Sequence, residues 1–240
     1  MALARWRSDF RRWEKTPGSP VCEVDLDVDR FLHARLLALL PEAGWLSEET
    51  ADNPERLGRE RVWVVDPIDG TRDYLRHRPG WAVSVALVEA GRVTLAVLDA
   101  PARRESWRAV EGEGAWRDGV RLCASSRSDL PGARVPSDAL PKADRDLTPV
   151  FKPNSIALRM AMVAADEADL VATVRWGNEW DIAAAALIAQ EAGGAVTDAL
   201  GRPLAFNKPD PQAFGVVVSA TGIHAAAVER LAPRARAALG

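Results

Sequence analysis

Cysteine and histidine are scarce in these 240 residues: Cys22 and Cys123, with His33, His77 and His224, are all there is. Two isolated thiols cannot build a disulfide framework, and the five residues show no zinc-ligand spacing, so each is read as structural. No apolar run is long enough to span a bilayer, and the arginine-rich start lacks the apolar core of a secretory signal. A cytoplasmic protein with no membrane partner is therefore expected. Net charge is also small: 31 Lys and Arg against 34 Asp and Glu give −3. Such a balance excludes a surface built to neutralise many phosphates of a nucleic-acid polymer. Tyrosine occurs once and tryptophan nine times. Trp13, Trp45 and Trp176 are each readable as core packing or as a ring that stacks on a base, with core the better default.

What is present suits a packed protein. With 48% hydrophobic residues, the chain can bury a core of normal size as one domain or two closely packed ones. Leu3, Trp6, Phe10 and Trp13 recur at helical spacing and predict an amphipathic packing helix. Asp25 to Leu40 places Val28, Phe31, Leu32, Leu36 and Leu39 on one helical face, ended by Pro41 and Gly44. Trp81 to Glu89 and Arg92 to Ala100 read as a β-hairpin about Ala90-Gly91, with further strands at Glu105 to Val110 and Gly114 to Leu122. This first half, residues 1–124, reads as α+β with a largely antiparallel sheet. Ser125 to Thr148 has no clear period and reads as loop with short elements. Residues 125–240 read as α/β: helices at Ile156 to Ala165, Asp181 to Glu191 and Ile223 to Leu239, and strands at Leu170 to Trp176, Ala195 to Thr197 and Phe214 to Ser219.

The most informative stretch is Val62-Trp63-Val64-Val65-Asp66-Pro67-Ile68-Asp69-Gly70-Thr71. An apolar strand runs into two carboxylates; Pro67 pushes Asp66 toward extended backbone, so the strand is expected to end there with its carboxylate aimed outward. Gly70 can take angles closed to other residues, and its amide and that of Thr71 are candidates to face an anion. Asp-Pro-x-Asp-Gly is also an ordinary turn composition. Two further acidic clusters change the weighing: Trp45-Leu46-Ser47-Glu48-Glu49-Thr50, and Glu179-Trp180-Asp181 ahead of an alanine-rich helix that ends Glu191-Ala192-Gly193-Gly194.

In that order, the three clusters resemble the inositol monophosphatase superfamily of Mg²⁺-dependent, lithium-sensitive phosphatases. The resemblance runs from about Lys15 to about Ser219 and is poor across Ser125 to Thr148. It implies a layered sandwich in α/β/α/β/α order and a homodimer. It implies metal ligation by Glu48, Asp66, the Ile68 carbonyl, Asp69 and Asp181, holding two or three Mg²⁺ ions. Converging carboxylates would repel by about 4 kcal/mol per pair at about 4 Å and an effective dielectric of 20, so a cation is needed among them. By the same resemblance, Glu49 supports the site or helps activate water, and Asp25 pairs with Thr71 to orient and deprotonate that water. Asp25 and Asp181 are each also readable as plain helix N-caps, and Asp25 lies in Cys22-Glu23-Val24-Asp25, where the family usually has threonine-x-alanine-aspartate.

The expected reaction is in-line attack of a metal-activated water on a small-molecule phosphate monoester. Asp69, Gly70, Thr71, Ser155, Arg175 and Asp181 are the expected substrate contacts, with Asn154 standing where the family has glycine. Arg175 falls where inositol-phosphate-hydrolysing members carry a glutamate that contacts sugar hydroxyls; a guanidinium there would favour another phosphate. With Trp13-Glu14-Lys15, Ser19-Pro20-Val21 and Glu179-Trp180-Asp181, this resembles the 3′(2′),5′-bisphosphate nucleotidase branch, which converts 3′-phosphoadenosine 5′-phosphate to AMP and phosphate. Taken singly, Lys152, Arg159 and Arg175 are also readable as solvated surface charges. Inositol 1-phosphate or another small sugar phosphate is the alternative substrate, and a non-catalytic metal- or phosphate-binding protein is the alternative class.

Overall fold

A computed structural model describes all residues, 1–240. In chain order the first half contains α1 (Ala2–Arg5), β1 (Arg12–Thr16), β2 (Ser19–Cys22), α2 (Glu23–Leu39), β3 (Gly44–Ser47), β4 (Arg61–Asp69), α3 (Thr71–Leu75), β5 (Ala82–Glu89), β6 (Arg92–Ala100), β7 (Glu105–Val110), β8 (Gly114–Arg117) and β9 (Val120–Arg121). The second half contains β10 (Arg134–Pro136), β11 (Thr148–Val150), α4 (Ile156–Ala164), β12 (Leu170–Asn178), α5 (Glu179–Glu191), β13 (Gly194–Thr197), β14 (Gln212–Ala220) and α6 (His224–Leu239). Strands β3 to β9 pair in chain order as one sheet, parallel only between β3 and β4. A second, antiparallel sheet has the order β12-β14-β13.

Strand period sorts the first sheet between two layers. In β4, Val62 and Val64 pack toward α5, whereas Trp63 and Val65 pack on the opposite face with Leu32, Leu36 and Leu37 of α2. Helix α5 lies between the two sheets, so Ile182 through Ala189 are all buried. Four consecutive alanines make a helix thin enough for that position, and burial all round explains why it shows no polar face. Helix α4 packs beside α5, and α6 covers the outer face of the second sheet. The layers are therefore α2, first sheet, α4 with α5, second sheet, α6: the expected α/β/α/β/α order.

Several local expectations need correction. The helix predicted through Trp13 stops after one turn at Arg5, because Pro17 and Gly18 (φ +83°) form a turn that draws residues 12–16 into a hairpin. Trp6 is buried against Trp81, with ring centroids 6.0 Å apart, while Trp13 sits on exposed β1. The strand expected over Gly114 to Leu122 is split by Asp118 and Gly119, both at positive φ. Pairing of β4 with β5 continues past Asp66 to Asp69 instead of ending at Asp66. Helices α2 and α5 both begin two residues earlier than expected. Asp25 and Asp181 are then the third helical residue, not the cap, and each accepts a hydrogen bond at 2.9 Å from the backbone N–H of the capping residue, Cys22 or Asn178.

Candidate active site

The end of β4 aims the first carboxylate. Between Asp66↔Ser84 and Asp69↔Ala82 the ladder spends three residues against two, so a bulge re-aims this end of the strand. Asp66 is 1% exposed, and its Oδ1 accepts from the Ile68 N–H at 2.9 Å. Glu48 follows parallel neighbour β3, held by its N–H on the Val65 carbonyl at 3.3 Å. Asp181 enters from α5 in the middle layer. One carboxylate oxygen each from Glu48, Asp66 and Asp181 lies within 4.8 Å of the other two.

Burial and mutual repulsion dominate the electrostatics of the group, with Lys15, 3.1 Å from Glu48, as its neighbouring cation. Burial, then repulsion from Glu48, Asp69 and Asp181, holds the Asp66 carboxyl well above the usual range. Burial and the neighbouring Asp69 push Asp181 up to about 8. This is a set of hard oxygen donors that resists carrying its own charge, and it fits a divalent cation of the Mg²⁺ type, not a thiolate- or imidazole-seeking metal.

The other expected ligands lie close by with partners of their own. Asp69 is pushed up to about 6 by burial, against hydrogen bonds from Ser155 Oγ at 2.5 Å and Ala157 N–H at 2.8 Å. These bonds fasten the end of β4 to the start of α4. The Ile68 carbonyl accepts from Thr71 Oγ1 at 3.0 Å, and Asp25 Oδ1 lies 3.3 Å from the same hydroxyl. The structure thus brings Asp25 and Thr71 together across 46 residues. Cys22 stands in for the usual threonine: its thiol, pushed up to about 12 by burial beside Asp25, stays protonated and donates to Asp25 Oδ2 at 2.8 Å. Gly70 has φ +91°, and a Cβ there would lie 2.8 Å from both the Gly80 carbonyl oxygen and the Ser155 nitrogen.

Glu49 is not part of the three-carboxylate group. Its buried side chain accepts from Lys15 at 2.6 Å, and burial pushes its carboxyl to about 7. Lys15 also reaches Glu48 at 3.1 Å, so the β1–β2 hairpin is fastened to both glutamates.

A cavity of about 440 Å³ opens beside Asp181 and is lined by Lys152, Arg159, Arg175 and Trp176. The position of Arg175 has a backbone cause. Pairing of β12 with β14 slips between Thr173 and Trp176, and the facing Gly215 takes φ +61°, where a Cβ would lie 2.2 Å from the Thr173 carbonyl oxygen. The bulge brings Arg175 to the cavity wall, its N–H on Thr173 Oγ1 at 3.1 Å. Arg159 is largely buried and donates to the Ser155 and Asn154 carbonyls at 3.2 and 2.9 Å. Lys152 pairs with Asp138 at 2.8 Å.

Three supports were not read from the sequence. Asp29, one turn after Asp25 on α2, accepts from Ser47 Oγ at 2.5 Å and Thr50 Oγ1 at 2.6 Å and so braces the Glu48–Glu49 turn. The i, i+4 spacing of the two aspartates was the available signal. Asp73 accepts the Asn154 N–H at 3.1 Å. Arg56, 2% exposed, donates to Asp52 at 2.6 and 2.9 Å, to Asn207 Oδ1 at 2.6 Å and to the Lys208 carbonyl at 3.0 Å. The Asn207 and Lys208 N–H groups donate to buried Glu179 at 2.5 and 3.1 Å. Arg56 thus ties the segment after Glu48 and Glu49 to the start of the Asp181 helix, a partnership across about 150 residues that no local pattern reveals. Arg56→Met is expected to destabilise the protein by about 3 kcal/mol, because it strips donors from several acceptors at once. A urea melt with an unchanged midpoint would remove this role.

No helix of the chain is long and apolar enough to cross a membrane. The inositol monophosphatase family profile matches residues 2–239. A Thermotoga maritima protein described as fructose-1,6-bisphosphatase/inositol-1-monophosphatase is 34% identical over 197 residues, covering 78% of this chain and 75% of that one. The 3′(2′),5′-bisphosphate nucleotidase CysQ of Aggregatibacter actinomycetemcomitans is 30% identical over 209 residues, covering 81% and 77%. Among solved structures, the Thermotoga maritima IMPase matches with a TM-score of 0.83 at 28% identity, over 99% of this chain and 93% of that one. Fold, acidic cluster and relatives agree: the chain belongs to the inositol monophosphatase family, a family of metal-dependent phosphatases.

Proposed function

We propose that the protein is a Mg²⁺-dependent 3′(2′),5′-bisphosphate nucleotidase, removing the 3′-phosphate of 3′-phosphoadenosine 5′-phosphate to leave AMP. The observation that carries the substrate assignment is the cationic wall: Arg175, Arg159 and Lys152 line the same cavity as Asp181, so a substrate with its scissile phosphate at the acidic cluster meets guanidinium groups suited to a second phosphate. Glu48, Asp66 and Asp181, with Asp69 and the Ile68 carbonyl, are the groups that would hold the cation. Held by these groups, a divalent ion would lower the pKa of a bound water and offset charge on the phosphate oxygens.

The chain's own groups supply the rest. Thr71 Oγ1 has one proton and two acceptors in reach, Ile68 O and Asp25 Oδ1, so it can give that proton to Asp25 while accepting one from a water. Burial raises the Asp25 carboxyl, which makes it a better proton acceptor than a solvated aspartate. Glu49, at about 7, is poised to exchange a proton at neutral pH. Ser155 fixes one Asp69 oxygen and so orients the other. Lithium sensitivity, a homodimer and a cytoplasmic location accompany this reading.

Inositol 1-phosphate is the second reading, supported by the 34%-identical relative whose description names an inositol-1-monophosphatase. Arg175→Glu separates the two. It is expected to lower kcat/KM for the nucleotide bisphosphate at least tenfold and to lower that for inositol 1-phosphate far less. Unchanged nucleotide hydrolysis would show that Arg175 does not serve the substrate.

A further inference from the structure

We infer that the exposed face of Trp176 is the platform on which the nucleobase of the substrate stacks, an inference that rests on the nucleotidase reading and assigns the part of the cavity beyond the phosphates. The tryptophans sort clearly by environment. Trp6, Trp63, Trp81 and Trp107 are buried, and Trp45 lies edge-on to His33 with its Nε1 toward Thr50. Only Trp13 and Trp176 are exposed, at 43% and 57%, and only Trp176 lines the cavity that contains Asp181.

Its place in the chain brings it close to the chemistry. The next residue, Gly177, has its backbone so near the acidic cluster that a Cβ on it would lie 3.2 Å from Asp181 Oδ2. The preceding residue is Arg175. The same bulge in β12 that brings Arg175 to the wall therefore also sets the indole at the mouth, within one residue of both the cation-binding end and the cationic wall. One side of the ring is braced by Phe214, with centroids 5.1 Å apart and planes at 57°, leaving more than half of the residue open. Beyond Trp176 a second cavity of about 370 Å³ adjoins the first and shares Trp176, Ile182 and Ala213 with it; Gln212 and Lys208 line it. An aromatic ring flanked by space of this size and by polar side chains suits a flat heteroaromatic group with hydrogen-bonding edges. A polyol such as inositol has no π face to use it.

The test uses the full chain with Mg²⁺ present and two competitive probes, AMP and ribose 5-phosphate, which differ by the base. Wild-type protein is expected to bind AMP about tenfold or more tightly than ribose 5-phosphate, Trp176→Ala to collapse that ratio toward one, and Trp176→Tyr to retain most of it. A general loss of structure would weaken both probes together and leave the ratio standing. Equal affinity for the two probes in the wild type, or a ratio untouched by Trp176→Ala, would overturn the inference. If phosphate release favours inositol 1-phosphate while the AMP ratio still depends on Trp176, the nucleotidase reading fails, and Trp176 is a base-stacking platform for a nucleotide that is not the substrate. Sedimentation of Trp176→Ala against wild type decides the remaining use of an exposed ring: a change in oligomeric state with no change in the ratio would place Trp176 in a subunit interface and count against stacking.

Discussion

Asp66→Asn will lower metal-dependent phosphate release by about three orders of magnitude while leaving the fold intact. The side chain is 1% exposed, and its Oδ1 takes a hydrogen bond from the Ile68 N–H, which an asparagine carbonyl oxygen can also accept. The substitution therefore keeps the local geometry and removes only the charge. That charge is also what Glu48, Asp69 and Asp181 repel, so the metal-free variant is expected to be at least as stable as the metal-free wild type. Loss of activity without loss of stability is the signature of a cation ligand. A variant that keeps wild-type turnover and the same Mg²⁺ requirement would remove Asp66 from the site. One that unfolds would instead make it a structural residue.

The second large effect is on stability as a function of pH and cation. Asp181 is pushed up to about 8, Glu49 to about 7 and Asp69 to about 6, each chiefly by burial. In the unfolded chain such groups titrate near 4. Between about pH 4 and pH 8 the folded, metal-free protein therefore holds protons that the unfolded chain has shed, and linkage makes stability fall as pH rises through that window. Below about pH 4 this contribution is fully present; above about pH 8 it is gone. A divalent cation at Glu48, Asp66 and Asp181 favours the charged carboxylates and opposes the trend. With chelator, the melting temperature should fall from pH 5 to pH 8; with Mg²⁺ at about a hundred times its dissociation constant, it should rise by about 5–10 °C at pH 8 and little at pH 5. The same pH slope with and without Mg²⁺ would mean that the cluster does not take up the ion.

Local chemistry was legible in the sequence where it was written locally. Val62 to Thr71 carried its strand, its carboxylates and its turn together, and the Ala90-Gly91 hairpin followed from a valine-rich pair about a dipeptide whose residues both take positive φ. The layered order came from the resemblance and could not have come from periodicity, since α5 is buried on all sides and so shows no amphipathic stripe. In the N-terminal arm two local signals compete, and the helical spacing of Leu3, Trp6, Phe10 and Trp13 loses to the Pro17-Gly18 turn that pairs residues 12–16 with 19–22. At Asp66 the proline suggests a strand end, whereas pairing with neighbouring β5 carries β4 on to Asp69. Asp25 and Asp181 were placed near helix starts but two residues off, since the true caps, Cys22 and Asn178, hold the aspartates at their third position. Arg56 was silent because all that distinguishes it, burial and acceptors at Asn207 and Lys208, is brought by the far end of the chain.

The most direct test of the whole account is phosphate release by the wild-type protein from 3′-phosphoadenosine 5′-phosphate and inositol 1-phosphate in parallel, with Mg²⁺ and with chelator. The acidic cluster predicts release that chelator abolishes and Mg²⁺ restores, and the cationic wall of Arg175, Arg159 and Lys152 predicts that the nucleotide is preferred. Release from either ester that persists undiminished in chelator would contradict the assignment of Glu48, Asp66 and Asp181 as a cation site.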